Sequence, residues 1–143
     1  MEIFTRKMRI EDAQFINNLS AQMGYELTLP ETMHNVRQII GSKDDCAFVA
    51  IAEEKIIGWV HAFKAIRIES NPFIEIGGIV VDKAYRGNGA GKILVNTIME
   101  WGIAEKCNTL RVRCNTQRVE AHKFYSKIGF RETKEQKIFQ LEI

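Results

Sequence analysis

Apolar positions recur along the chain in two rhythms, and the switches between them mark its elements. Ile3 to Arg6 reads as a short first strand. From Glu11 to Met23, the residues Ala13, Ile16, Leu19 and Met23 fall at helical spacing and predict a first helix. Thr28 followed three places on by Glu31 has the form of a capping box; Met33, Val36 and Ile40 then line one face of a second helix, which Gly41 stops. Gly24 to Thr28 joins the two helices as a loop. Ala47 to Ala52 and Ile56 to Ile66 are apolar runs on either side of the polar turn Glu53-Glu54-Lys55, which predicts a hairpin. Beyond a turn at Arg67 to Asn71, Phe73 to Val81 predicts a central strand. Its end, Ile79-Val80-Val81, is apolar on both faces, as expected where helices cover both sides of a sheet.

Within that strand Gly77-Gly78 signals a bulge or the close approach of a neighbour, or a merely tolerated pair. Leu94, Val95, Ile98, Met99 and Gly102 form the stripe of a third helix ending near Lys106, and Thr109 to Cys114 returns to strand. Strand, glycine turn, helix and strand in that order predict a parallel crossover. Arg118 to Ile128 carries Val119, Ala121, Phe124, Tyr125 and Ile128 as a fourth helix closed by Gly129. Arg131 to Thr133 and Lys137 to Leu141 read as two last strands. The whole predicts one α/β domain over residues 1–143, with a mixed, mostly antiparallel sheet of about seven strands and about four helices.

Composition narrows the partners more than the fold. A net charge of +2 offers no broad basic face for nucleic acid. Cys46, Cys107 and Cys114 are odd in number and unpaired by spacing, so neither a disulfide framework nor a metal site is expected, and reduced thiols in a cytoplasmic protein are. No apolar run approaches the roughly 20 residues that span a bilayer, and the N-terminus lacks the apolar core of a signal peptide.

The chemistry concentrates in Arg86-Gly87-Asn88-Gly89-Ala90-Gly91-Lys92, between the central strand and the third helix. Its glycines permit backbone conformations barred to other residues, and a helix starting near Gly89 would aim unpaired N–H groups and its positive end at an anion, with Arg86 and Lys92 adding charge. An ordinary glycine-rich loop is the competing reading. A P-loop is excluded because Gly87 and Gly91 enclose three residues rather than four and Ile93 follows Lys92; the dinucleotide fingerprint is excluded because its third glycine arrives one place early.

The order Arg86, Gly89, Gly91 after an apolar strand resembles the acyl-CoA pyrophosphate loop of the GCN5-related N-acetyltransferase (GNAT) superfamily. Arg118-Val119-Glu120-Ala121-His122-Lys123-Phe124-Tyr125-Ser126-Lys127-Ile128-Gly129-Phe130 is similar to that family's closing motif, Ala-x-x-Phe-Tyr-x-x-x-Gly-Phe. The Arg-x-x-Ala-His-x-Phe-Tyr form of that motif (Arg118 to Tyr125) and the strand bearing Glu75 resemble most the branch of aminoalkylphosphonate and aminoglycoside acetyltransferases. The resemblance implies acetyl-CoA as co-substrate, CoA as product and a small-molecule amine as acceptor, with no nucleic acid, no membrane and a homodimer as a compatible assembly. It implies pyrophosphate binding by Arg86 to Lys92 (Arg86, Gly87, Asn88, Gly89, Ala90, Gly91 and Lys92) and pairing of the pantetheine arm with Ile79, Val80 and Val81, as an added strand. It places Phe124 and either Asn115 or Arg118 at the cofactor: many relatives carry Asn where this chain has Arg118, and Asn115 is the favoured contact.

Aminolysis of a thioester needs a free amine, and an aliphatic ammonium of pKa about 10.4 needs a base at neutral pH. Glu75, between Ile74 and Ile76 in the central strand, is the best-placed carboxylate; a solvated or ion-paired surface role is its alternative. Tyr125 fits the acid for the departing thiolate, with aromatic packing beside Phe124 and Phe130 as its other role. His61 and His122 are reserves, and Met23, Tyr25 and Glu26 are candidates for an acceptor pocket. Arg67 is a candidate to orient an acidic group on the acceptor. A non-catalytic acyl-CoA sensor, a binder of another phosphate ligand, and an enzyme acting on protein N-termini or lysines are the alternative functions.

Overall fold

Five strands, not about seven, form the sheet. In the computed structural model, which describes residues 1–143, β1 (Phe4–Lys7), β2 (Asp45–Ala52), β3 (Lys55–Arg67), β4 (Ser70–Val81) and β5 (Leu110–Val112) lie side by side in chain order. The first three pairings are antiparallel, and β4 with β5 is parallel. The parallel pair requires a crossover, supplied by the helix α3 (Ala90–Ala104). Two further helices, α1 (Ala13–Ala21) and α2 (Leu29–Ile40), connect β1 to β2. The chain divides into two compact units, Met1–Val112 and Arg113–Ile143.

In the first unit, α1 and α2 pack on one sheet face. Met8, Ile16, Val36, Ala47 and Val49 form its buried cluster, against which Ile10, Ile39 and Trp59 pack. Each of the larger side chains, Met8, Ile16, Val36 and Val49, contributes roughly 1.5–3 kcal/mol relative to exposure. The α3 helix lies close against β4: a Cβ at Gly102 would stand 3.0 Å from Ile74 Cγ1, so the glycine sets the helix-to-strand spacing. Leu94, Val95 and Ile98 of α3 are fully buried, whereas Met99, expected in the same stripe, is 47% exposed. The α2 start follows its sequence signal: Thr28 Oγ1 accepts from Glu31 N at 3.3 Å, and Thr28 N donates to Glu31 Oε1 at 2.9 Å. The first helix ends at Ala21, short of Met23, and β5 stops at Val112, short of Cys114.

The second unit holds α4 (Val119–Lys127). Arg131 to Thr133 and Lys137 to Leu141 form no strands; no regular element follows α4, and Ile138, Phe139 and Leu141 are 83–89% exposed. Their apolar and aromatic side chains carry a tendency to pair, but a strand exists only where a neighbouring strand completes the ladder. No helix is long and apolar enough to cross a membrane.

Candidate active site

The glycine stretch forms an open turn that leads into α3. Asp82 Oδ1 accepts from Ala84 N at 3.0 Å and caps a 3-10 turn at Lys83–Tyr85. Gly87 and Gly89 follow with φ of 84° and 87°, the left-handed region that favours glycine. A Cβ at either position would meet nothing within 4 Å, so it is backbone conformation, not crowding by the protein, that selects glycine here. Gly89 is the N-cap of α3 and offers no side-chain cap. Ile93 N bonds Gly89 O at 3.1 Å, which leaves the N–H groups of Ala90, Gly91 and Lys92 as the first-turn donors at the positive end of the helix. Arg86 and Lys92 are exposed beside them, and Asn88 Nδ2 donates to Tyr85 O at 3.0 Å to hold the turn.

Upstream of this turn, β4 has a neighbour on one side only. Its partner β3 runs alongside as far as Val81, but β5 pairs with Ile74, Glu75 and Ile76 alone. Alternate backbone N–H and C=O groups of Ile79, Val80 and Val81 therefore face away from β3 with no strand to receive them. A register shift sits at the start of this stretch: His61 pairs with Gly78 and Ala62 with Ile76, so Gly77 is the extra residue of a β-bulge. Cβ atoms at Gly77 and Gly78 would stand 2.8 Å from His61 Nδ1 and from Trp59 Cη2, so the two glycines are what allow these rings to lie across β4.

Those rings form one wall of a cavity of about 530 Å³ between α1, α2 and the sheet. Met8, Ile16, Val36, Ile39 and Ala47 supply its apolar surface, and the loop residues Tyr25, Glu26 and Leu27 border it. Three polar side chains of its helical wall bond within the protein: Asn17 Nδ2 donates to Leu27 O at 2.7 Å and to Thr32 Oγ1 at 2.9 Å, and Ser20 Oγ to Ile16 O at 2.7 Å. Trp59 Nε1 is buried with no partner. His61 also borders the cavity, its Nε2 2.7 Å from Asp45 Oδ1. The carboxylate accepts from Nε2–H, which leaves Nδ1 as the ring's acceptor at Gly77. Glu75 is 7% exposed, in register with Phe63 on one side and Arg111 on the other, and does not line the cavity.

In the second unit, Tyr125 meets Phe124 and Phe130 edge-on, with ring centroids 5.2 and 5.5 Å away. Asn115 lies beyond β5 rather than at a strand end. Its Oδ1 accepts from Gln117 N at 2.8 Å and its main-chain oxygen faces His122 Nε2 at 2.8 Å, so Asn115 and His122 shape the turn into α4.

A sequence profile of the acetyltransferase (GNAT) family matches residues 13–130. The chain belongs to that family. Among curated GNAT-related proteins, N-acetylaspartate synthetase of Xenopus tropicalis is 27% identical over 74% of this chain, which spans only 38% of that protein's length. Aminoglycoside N(6')-acetyltransferase type 1 of Salmonella typhimurium is 27% identical over 67% of this chain and 69% of its own. In three dimensions, an aminoglycoside N-acetyltransferase, AAC(6')-Iy, solved with a CoA-linked bisubstrate analogue, superposes with a TM-score of 0.89 at 19% identity, covering 100% of both chains.

Within this GNAT chain, the helix start near Gly89 lies where the sequence placed it, and of the readings left open for Gly77-Gly78 the structure shows a bulge, with the rings of His61 and Trp59 lying close across both glycines. The sequence did not foresee the Asp45–His61 pair or the part played by Gln22. From the end of α1, Gln22 Nε2 donates to Asp82 Oδ1 at 3.3 Å, and Gln22 Oε1 accepts from Lys83 N at 3.0 Å. Arg86 Nη2 approaches Met23 Sδ at 3.5 Å, which adds a second tie between the same segments. Arg67 stacks on Phe73 at 5.4 Å and does not border the cavity.

Proposed function

We propose that this GNAT protein is an acetyl-CoA-dependent N-acetyltransferase that moves an acetyl group directly to a primary amine of a small molecule. One observation carries the reading: the unpaired edge of Ile79, Val80 and Val81 runs directly toward the cradle of Arg86 to Lys92, an amide-pairing track followed by a phosphate-sized set of donors. Acetyl-CoA would bring a pantetheine arm with two amides, a pyrophosphate, and an acyl group activated as a thioester. The cavity beside the bulge gives the acceptor its place, and its volume lies in the range of small-molecule sites. Both curated relatives are named for small amines, which supports this acceptor class.

The chain's own work is to hold the amine against the acyl carbon and to move two protons. As the nitrogen bonds to the acyl carbon and the carbon–sulfur bond breaks, one proton leaves the nitrogen and one reaches the sulfur. Glu75 is the proposed base and Tyr125 the proposed donor to sulfur. A second reading of the base rests on the cavity wall: His61, oriented by Asp45, presents Nδ1 beside Gly77, where Glu75 is buried off the cavity.

Thiol release from acetyl-CoA with a panel of amines tests the activity. Arg86→Ala, an exposed change, is expected to raise KM for acetyl-CoA about tenfold, the effect of removing one charge-assisted hydrogen bond to phosphate. Gly89→Val, which forces a β-branched residue to φ of 87°, is expected to raise it further while circular dichroism shows a folded protein. Unchanged KM in both proteins refutes the cradle as the donor site.

A further inference from the structure

The cavity's lining points to one class of amine. No lysine or arginine borders it, and Glu26 is its single carboxylate, with no ion pair of its own. Asn17, Ser20 and Thr32 of its helical wall already bond one another or the backbone, and Asn35 is the one polar residue of that wall with no such bond. Most of what remains to meet a ligand is apolar: Met8, Ile16, Val36, Ile39, Ala47 and the face of Trp59, with Asn35 and His61 as the polar exceptions.

An acceptor bearing a carboxylate or phosphonate would find no cation here and would face Glu26. A polyhydroxylated amine would leave hydroxyl groups against hydrocarbon without partners, at a cost for each. Several ammonium groups would share one carboxylate. A single ammonium on a hydrocarbon body avoids these penalties: Glu26, in the bordering loop, favours entry of the cation, and the same nitrogen then lies against His61 and the Gly77-Gly78 bulge while the apolar wall takes the body.

We propose that the acceptor is a primary monoamine carried on an aryl or branched-alkyl body, rather than an amino acid, an aminophosphonate or an amino sugar. The proposal rests on the N-acetyltransferase reading, since it names the substrate class of that same site. It departs from what the names of the curated relatives suggest for them, because their acceptors are acidic or rich in hydroxyl groups.

The experiment compares kcat/KM for phenethylamine and isoamylamine with that for aspartate, 2-aminoethylphosphonate and kanamycin, and follows n-alkylamines from propyl to hexyl. The two monoamines are expected to exceed the three polar amines by at least about a hundredfold, and the alkyl series to climb by about fourfold per methylene until the cavity is filled. Ile39→Lys, a half-buried change in the apolar wall, should depress phenethylamine turnover at least about tenfold with KM for acetyl-CoA unchanged, and Glu26→Gln should raise KM for the amine several-fold. Faster turnover of any of the three polar amines overturns the class and leaves the transferase reading standing. If no amine is acetylated, the transferase reading fails, and the class is judged by binding alone: in Trp101→Phe protein, where Trp59 is the remaining indole, a saturable fluorescence change with phenethylamine and none with kanamycin supports it, and the reverse overturns it.

Discussion

In the proposed reaction two side chains are candidates for the base that frees the acceptor amine, and their positions differ in kind. Glu75 is buried in the strand, two positions before the cavity-lining glycines; His61 borders the cavity and is braced by Asp45. A base matters most where free amine is scarce, so removing it depresses kcat chiefly at neutral pH, and the defect shrinks as pH approaches the amine's own pKa of about 10.4. If Glu75 is the base, Glu75→Gln shows that profile and His61→Asn does not; if His61 is the base, the two exchange behaviour, and Asp45→Asn follows His61→Asn in weaker form. A pH-independent loss in both variants rules out both assignments. The pair itself was invisible in the sequence because its members stand sixteen positions apart and meet only through the register of β2 on β3.

Among the elements, what was legible was what is local. The Thr28–Glu31 box closes within four residues, and the glycine pairs announce a bulge and a left-handed turn by their lack of a Cβ. What lies across the bulge depends on the neighbouring strand, so Trp59 and His61 could not be read there. The two missing C-terminal strands fail for the same reason: Ile138, Phe139 and Leu141 are apolar enough for a strand but pair with no other strand. Anchorage of β1 to the turn after it is similarly specific. Arg6 grips the buried Asp12 with two bonds of 2.8 and 2.9 Å, and Arg9 N adds a third at 2.8 Å. Burial alone would raise the Asp12 carboxyl, but Arg6 and the Arg9 N–H outweigh it and hold it below 3.8. A lowered carboxyl stabilises the fold above its unfolded value and loses that contribution as pH falls through the folded one. Asp12→Asn is therefore expected to cost about 2 kcal/mol in urea unfolding at pH 7, less than a fully buried pair because Arg6 is partly exposed, with the gap to the parent protein narrowing below pH 3.8.

At the scale of the whole molecule, the cavity proposed for the acceptor and the glycine turn proposed for CoA belong to one unit and are fastened together. Gln22 ends the helix that walls the cavity, yet both of its amide atoms are spent on Asp82 and Lys83 at the mouth of the glycine turn. A displacement at either end is thus felt at the other, and thermodynamics makes the effect mutual: the factor by which the amine tightens CoA is the factor by which CoA tightens the amine. Calorimetric titration of CoA with and without saturating phenethylamine measures that factor, and Gln22→Ala should bring it close to one while each ligand still binds alone. A factor unaltered by the substitution would mean that the two ligands communicate by another route. If that factor exceeds one with the tie intact, the protein grips its two ligands as a cooperative pair, and an encounter with either one alone is the weaker, more readily reversed event.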